Sequence, residues 1–251
     1  MAQVHERGPA PAERASARVA LLECDHVDVD LRGVAGDYGD MFTTLLGQHA
    51  PELDLTRIDV IGGAPLPEVD AYDAVLVSGS RFGATDALPW IAALAGFLRR
   101  AHAVDLPTVG ICFGHQLIAH ALGGTVERAA VGWGIGVHRA TPTSAGEHAF
   151  AGPRPFDLLL SHQDQVVDLP PGGELLATSE HAPVAALRDG SMLGFQGHPE
   201  FTAAYAAALM DSRADRIPGA AIAAARPTLE APTDHGAVAR WIADHLGAGT
   251  G

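Results

Sequence analysis

Three features of this 251-residue sequence predict an α/β fold: a single-domain, doubly wound, mostly parallel sheet flanked by helices and continued by an antiparallel β extension. Near-continuous apolar runs of strand length recur in the first half, as expected of strands buried on both faces. Between them lie stretches with apolar residues at helical spacing, and strand–helix alternation of that kind builds right-handed βαβ units. From Thr125 onward the texture changes to short β-rich segments separated by Gly, Pro and Asp, which predicts the antiparallel part.

The first strand is predicted over residues 18–23, Arg-Val-Ala-Leu-Leu-Glu. Tyr38, Phe42, Leu45 and Leu46 then share a helical stripe, and a second strand follows at 57–61. Residues 74–79, Ala-Val-Leu-Val-Ser-Gly, form the third. Leu88, Ile91, Leu94, Phe97 and Leu98 predict an amphipathic helix over 86–100, and the fourth strand ends at Cys112 and runs straight into a helix. The extension is assigned β segments at 126–127, 132–141, 157–160, 175–178, 184–188 and 193–196. A helix follows over 203–210, then a loosely patterned, Pro- and Ala-rich, partly helical surface excursion over 211–234. Val238, Trp241, Ile242 and Leu246 mark a closing amphipathic helix. Residues 1–17 read as a disordered lead-in, 18–247 as one domain, and 247–251 as a frayed tail.

Composition removes several classes of function. No run of about 18 apolar residues suggests a membrane span, and the N-terminus lacks the apolar core of a secretory signal, so the expected location is the cytoplasm. A net charge of −14 with sixteen scattered basic residues argues against nucleic acid or anionic membrane as a partner. Thirteen histidines include no His-Glu-x-x-His, and there is no Cys-x-x-Cys, so no metal site is predicted. Gly132-Trp-Gly-Ile-Gly136 lacks the spacing and βαβ setting of a dinucleotide fingerprint, and neither a phosphate-binding Gly-x-x-x-x-Gly-Lys-[Ser/Thr] loop nor Gly-x-Ser-x-Gly occurs. No cofactor is therefore expected. Cys24, His115 and His120 read as packing or capping residues.

Chemistry concentrates at Gly110-Ile-Cys112-Phe-Gly114, a strand-to-helix junction with glycines on both sides of a thiol. Such an elbow needs strained backbone angles and no neighbouring side chains, and it lifts the nucleophile above the sheet edge. The first unpaired N–H groups of the new helix lie beside it, and their partial positive charge favours a thiolate. A base is available in Gly197-His198-Pro-Glu200, where an apolar strand delivers His198 and Glu200 is placed to fold back and fix its tautomer. Ligands of open α/β sheets sit at the carboxyl ends of the strands, which puts Ser78-Gly-Ser-Arg-Phe-Gly83 beside Cys112. Its small residues let backbone N–H groups approach an oxyanion, with the Phe113 N–H as second donor; the other reading of this loop is an ordinary βα turn.

Gly-Ile-Cys-Phe-Gly-His-Gln with a downstream Gly-His-Pro-Glu resembles the class I (triad) glutamine amidotransferase domain, within it the stand-alone proteins similar to the glutaminase half of GMP synthase. The resemblance runs from about Val19 to Leu246. It implies a flavodoxin-like fold, a Cys112–His198–Glu200 triad, and a Gly-rich oxyanion loop, here Gly79-Ser80, ahead of an Asp-x-x-Pro-Trp-like segment at Asp86-Ala-Leu-Pro-Trp90. Gln116 matches the family glutamine that contacts substrate. Ser161-His-Gln-Asp-Gln-Val166, by its residues alone a solvated turn, matches a family segment over the glutamine pocket, giving Ser161, Gln163 and Asp164 a substrate-contact role. The implied reaction hydrolyses glutamine or a γ-glutamyl amide through a γ-glutamyl thioester and passes ammonia to a separate synthase, because no Ser-Gly-Gly-x-Asp-Ser ATP-binding loop is present. The alternatives are a γ-glutamyl peptidase acting on glutathione-type conjugates and a catalytically idle regulatory module.

Overall fold

The computed structural model describes residues 16–152 and 154–247. The expected lead-in therefore lies outside the described residues up to position 15, as does the tail beyond 247.

β1 (Ala17–Glu23) supplies Val19 and Leu21 to one core and Ala20 and Leu22 to the other, which is why the whole run is apolar. A single turn, α1 (Arg32–Ala35), precedes α2 (Tyr38–His49). The start of α2 is set by a capping box in which Asp40 accepts the Asp37 N–H and Asp37 caps the first turn. β2 (Leu53–Asp59) begins four residues ahead of the expected 57–61, because pairing with β1 carries it back to Leu53 opposite Ala17. β3 (Ala74–Val77) follows. α3 (Pro89–Ala103) starts with a proline, which suits the first helical turn; Asp86, expected inside the helix, instead turns back to accept the Gly83 N–H at 2.9 Å. β4 (Thr108–Ile111) then leads through Cys112 into α4 (Phe113–Ala121).

The second half consists of β5 (Thr125–Arg128), β6 (Gly134–Pro142), α5 (Ser144–Ala149), β7 (Phe156–His162), β8 (Asp164–Asp168), β9 (Glu174–Ser179), β10 (Ala186–Asp189) and β11 (Met192–Phe195). The chain closes with α6 (Ala203–Ser212), α7 (Gly219–Ala225), a 3-10 turn at Arg226–Glu230 and α8 (His235–His245).

Among the described residues one nine-stranded sheet runs β2-β1-β3-β4-β11-β10-β9-β6-β7. Its first five strands are parallel and the remaining pairings antiparallel. This is the doubly wound, mostly parallel sheet with an antiparallel extension, and two assignments within it change. The last β segment, expected in the extension, is β11, which pairs in parallel with β4 so that Phe195 stands opposite Ile111. The segment at 126–127 leaves the main sheet and pairs, as β5, with β8. Residues 161–166 are consequently not one solvated turn, since β7 runs to His162 and β8 starts at Asp164.

α2 and α8 cover one face of the parallel strands through Phe42, Leu45, Leu46, Val238 and Ile242. α3 and α4 cover the other through Leu94, Phe97, Leu98, Leu117 and Ile118. The extension curls until the chain just past β11 meets β7, where the His198 N–H donates to the Leu159 carbonyl at 2.8 Å. The stretch 211–234 also departs from its expected role, because Ile217 and Ala225 are buried with Ile135 and Met210 and tie it to β6.

α4 sits on the sheet at backbone contact distance. A Cβ at Gly110 would lie 2.4 Å from the Gly114 carbonyl carbon, and one at Gly114 would lie 2.5 Å from the Val77 carbonyl oxygen. Both neighbours are backbone and cannot rotate away. Gly114→Ala is therefore expected to destabilise the fold by about 3 kcal/mol or more, whereas Gly33→Ala, with nothing within 4 Å of the added carbon, changes stability by about 1 kcal/mol or less, towards greater stability. Urea unfolding of the two variants measures the contrast; equal midpoints would contradict the packing described here.

Candidate active site

Cys112 stands between β4 and α4 with φ 51° and ψ −98°, a sparsely populated conformation costing about 1–3 kcal/mol. The surroundings hold it there. Its N–H donates to the Phe195 carbonyl at 2.8 Å, its carbonyl accepts the Gln116 N–H at 3.0 Å, and the Gly110–Gly114 contact leaves the turn no room to relax. No side chain caps α4, so the N–H groups of its first turn remain available to a ligand. Trp90, from the Asp86–Trp90 segment, packs against Phe113 and Phe82 at centroid distances of 5.5 and 5.8 Å and so supports the elbow.

His198 is delivered by the chain leaving β11. Its Nδ1–H donates to Glu200 Oε1 at 2.7 Å, and both residues are buried. The imidazole stacks on Phe201, centroids 3.9 Å apart and planes within 9°. With Nδ1 occupied, Nε2 is the nitrogen left for Cys112. Burial by itself would push His198 down, but the charge of Glu200 and of Cys112, with hydrogen bonds to both, holds it well above its ordinary 6.5. The site thus favours the protonated imidazolium of His198.

Gly79 lies against this pair. A Cβ there would be 3.0 Å from His198 Cε1 and 3.8 Å from Cys112 Cβ, so a larger residue would wedge between the thiol and the imidazole. Among the described residues the N–H groups of Gly79 and Phe113 have no protein acceptor. Ser80 lines the cleft, but its hydroxyl donates to the Cys24 carbonyl at 2.9 Å, leaving only its backbone for an oxyanion. The loop is braced to the end of β1, since Ser78 Oγ accepts the Cys24 N–H, and buried Asp25 accepts both the N–H and Nε–H of Arg81. Cys24 is buried, and burial pushes its thiol up.

Cys112 opens into a cleft of about 220 Å³. Gln116, Ser161, Gln163 and Asp164, the four expected substrate contacts, all line it. Gln116 is more committed than its sequence position suggests, with Nε2 donating to the Asp164 carbonyl at 2.6 Å and to Gln196 Oε1 at 3.2 Å; its own Oε1 is left for a ligand. Ser161 Oγ accepts from Arg213 Nη1 at 2.9 Å. Sequence reasoning missed Gln196, fully buried, whose Nε2 lies 3.6 Å from Cys112 Sγ. The available signal was a lone amide closing the apolar strand two residues before His198. It also missed Trp133, Arg128, Arg213 and Arg216 on the cleft wall. A larger cavity, about 540 Å³, lies behind the site along Met41, Leu45, Phe201 and Leu229, but Cys112 does not line it.

His115 is buried in α4 and held down to about 4 by that burial, and His162 to about 3 by burial with the neighbouring His181 adding to the effect. His120 is exposed on the last turn of α4. Among the described residues no three His, Cys, Asp or Glu side chains group as metal ligands, and no helix is long and apolar enough to cross a membrane.

A sequence model of the family described as Glutamine amidotransferase class-I matches residues 34–210. Gamma-glutamyl peptidase 5 of Arabidopsis thaliana is 31% identical over 191 residues, covering 73% of this chain and 76% of its own length. The glutamine-hydrolyzing GMP synthase of Thermus thermophilus is 34% identical over 174 residues, covering 65% of this chain and 32% of its own. The crystal structure of a glutamine amidotransferase from Thermotoga maritima matches with a TM-score of 0.74 over 92% of this chain and 99% of that one, at 21% identity, a likeness of fold.

Two outcomes follow from the charges. In an NMR titration, the His198 ring keeps its proton well above pH 6.5, and Glu200→Gln moves that titration down because the neighbouring carboxylate charge is lost; an unmoved titration would contradict the geometry. His115 and His162 stay neutral when folded but take up protons when unfolded, so their contribution is present above an unfolded pKa of about 6.5 and is lost as pH falls towards their folded values. The urea midpoint should decline across that window, and His115→Asn should flatten the decline.

Proposed function

The chain belongs to the class-I glutamine amidotransferase family, and from that membership we propose that it cleaves the side-chain amide of glutamine or another γ-glutamyl compound through a thioester on Cys112. The observation that carries the reading is buried His198, hydrogen-bonded to Glu200 on one side and set beside Cys112 across Gly79 on the other, at a cleft whose rim, among the described residues, offers N–H groups without a protein acceptor. The Cys112 proton rests on His198, and the thiolate attacks the γ-carbonyl carbon. The Phe113 N–H and that of Gly79 or Ser80 hold the oxyanion, each donor lowering the barrier by roughly 3–4 kcal/mol. As the intermediate collapses, the carbon–nitrogen bond breaks and the imidazolium hands its proton to the departing amine. Water, deprotonated by His198, then cleaves the thioester and releases glutamate. Glu200 keeps the imidazole in the tautomer that both proton transfers need. Gln196 and Gln116 secure the sulfur side, and Ser161, Gln163 and Asp164 meet the substrate along the rest of the cleft.

When the substrate is glutamine, the product is ammonia for a separate acceptor synthase. A second reading, a γ-glutamyl peptidase that releases a larger amine, draws support from the similarity to Gamma-glutamyl peptidase 5, which extends over most of both chains. The intact nucleophile, base and carboxylate weigh against an idle regulatory module.

Incubation with an electrophilic glutamine analogue is expected to add one mass increment, located on Cys112. Cys112→Ala should lose all measurable turnover of glutamine and γ-glutamyl dipeptides while keeping its unfolding midpoint, and Glu200→Ala should fall less far, by about 10² in kcat. Turnover retained by Cys112→Ala would overturn the proposal.

A further inference from the structure

The charge of this molecule reverses inside its cleft. The chain carries a net charge of −14, and all sixteen of its basic residues are arginines; Arg81, Arg128, Arg213 and Arg216 line the cavity that holds Cys112. The first two are committed. Arg81 is bonded to Asp25 and also paired with Asp28, and Arg128 faces Asp164 at 3.5 Å. Arg213 and Arg216 differ. Among the described residues Arg213 has no carboxylate within 4.0 Å and donates only to the neutral Ser161 hydroxyl, while Arg216 has only the adjacent, exposed Asp215 at 3.9 Å, beyond hydrogen-bond distance.

Their place in the fold indicates what they meet. Arg213 follows α6, whose Tyr205 packs against Phe201, and Phe201 stacks on the His198 ring. Ser161, its hydrogen-bond partner, lies two residues past Leu159, the β7 residue whose carbonyl accepts the His198 N–H. Arg213 thus belongs to the wall on the imidazole side of the cleft, and Arg216, whose N–H donates to the Arg213 carbonyl at 2.9 Å, adjoins it, whereas Gln116 and the Asp164 carbonyl lie on the α4 side. In the reaction proposed above, His198 protonates the departing amine, so the leaving group occupies the imidazole side.

We propose that Arg213 and Arg216 determine specificity by binding a carboxylate on the leaving amine, so that the favoured substrate is a γ-glutamyl amide of an amino acid or short peptide rather than glutamine. The inference rests on the Cys112 thioester reading and adds the identity of the amine. A planar guanidinium presents paired donors to a carboxylate, and such charge-assisted bonds are the strong ones. The net reaction is hydrolysis, γ-glutamyl-NH-R plus water giving glutamate and R-NH₂, with the carboxylate of R held throughout.

Initial rates on γ-glutamylglycine and γ-glutamylglycinamide, which differ only in the charge of the leaving group, test this, with 4-aminobutanoylglycine as the substrate lacking the α-carboxylate. The wild-type kcat/KM should favour γ-glutamylglycine over the carboxamide by about tenfold or more. Arg216→Gln and Arg213→Gln should each shrink that ratio towards one, chiefly through KM, and Arg216→Lys should restore part of it. Arg216 is exposed, so its substitution reads the effect even where Arg213→Gln fails to fold. The proposal is overturned if the wild type does not discriminate, if the variants weaken both amides equally, or if their effect disappears with the α-carboxylate instead. Absence of turnover on every substrate, with no adduct on Cys112, would overturn the thioester reading and this inference together; an adduct with no discrimination would overturn this inference alone.

Discussion

The contact on which the site depends is the one between backbones at the start of α4. Gly110 and Gly114 allow the helix to rest on β3 and β4 with no side chain between, and that closeness forces Cys112 into a positive φ. The strain is not relieved, because the residue's N–H and carbonyl are both held, by β11 and by α4. A thiol on a freely turning loop would rotate away from its partners. Here it stays under the open end of a helix, at the carboxyl edge of the sheet where ligands of this architecture bind.

The same geometry explains why β11 has to lie beside β4. The strand that follows the extension returns to the centre of the sheet, next to the strand that ends in the thiol, so residues far apart in the chain emerge at adjacent positions. Closure of the extension onto β7 then holds the His198 backbone, and Phe201 and Glu200 hold its ring from one face and one edge. The imidazole consequently has little freedom left. A positive imidazolium kept between a thiol and a carboxylate suits the proposed role, since proton donor and acceptor are in place before substrate arrives and need no rearrangement during reaction.

The 78–83 loop and the arginine wall show a division of labour among polar groups. The Ser78 and Ser80 hydroxyls bond the Cys24 backbone, and Asp25 bonds Arg81; these side chains hold the backbone of 78–83 and act as supports rather than ligand contacts. Among the described residues Arg213 has no carboxylate partner, and Arg216 has only the adjacent Asp215 at 3.9 Å. In a strongly acidic protein, cations so weakly paired in a cleft point to an anionic ligand more directly than the same residues on an open surface would.

Much of this was legible in the chain itself. The Gly-x-Cys-x-Gly frame specified the elbow because only glycine permits a helix to approach a strand that closely, and local backbone sterics are a property of neighbouring residues. The alternation of apolar runs and stripes specified a doubly wound sheet, since burial on two faces imposes its period directly on the sequence. The partners that determine Gln196, Arg213 and Arg216 are distant in the chain, and no local period records them. Likewise β11 was assigned to the extension, and the cleft wall of 211–216 to a surface excursion, because strand order and the folding-back of an irregular segment are fixed by long-range pairing and packing. The sequence by itself determined which atoms have the chemistry to react; the tertiary structure decided which distant groups surround them, because only the strand order and the curl of the extension bring the ends of β4, β7 and β11 to one place.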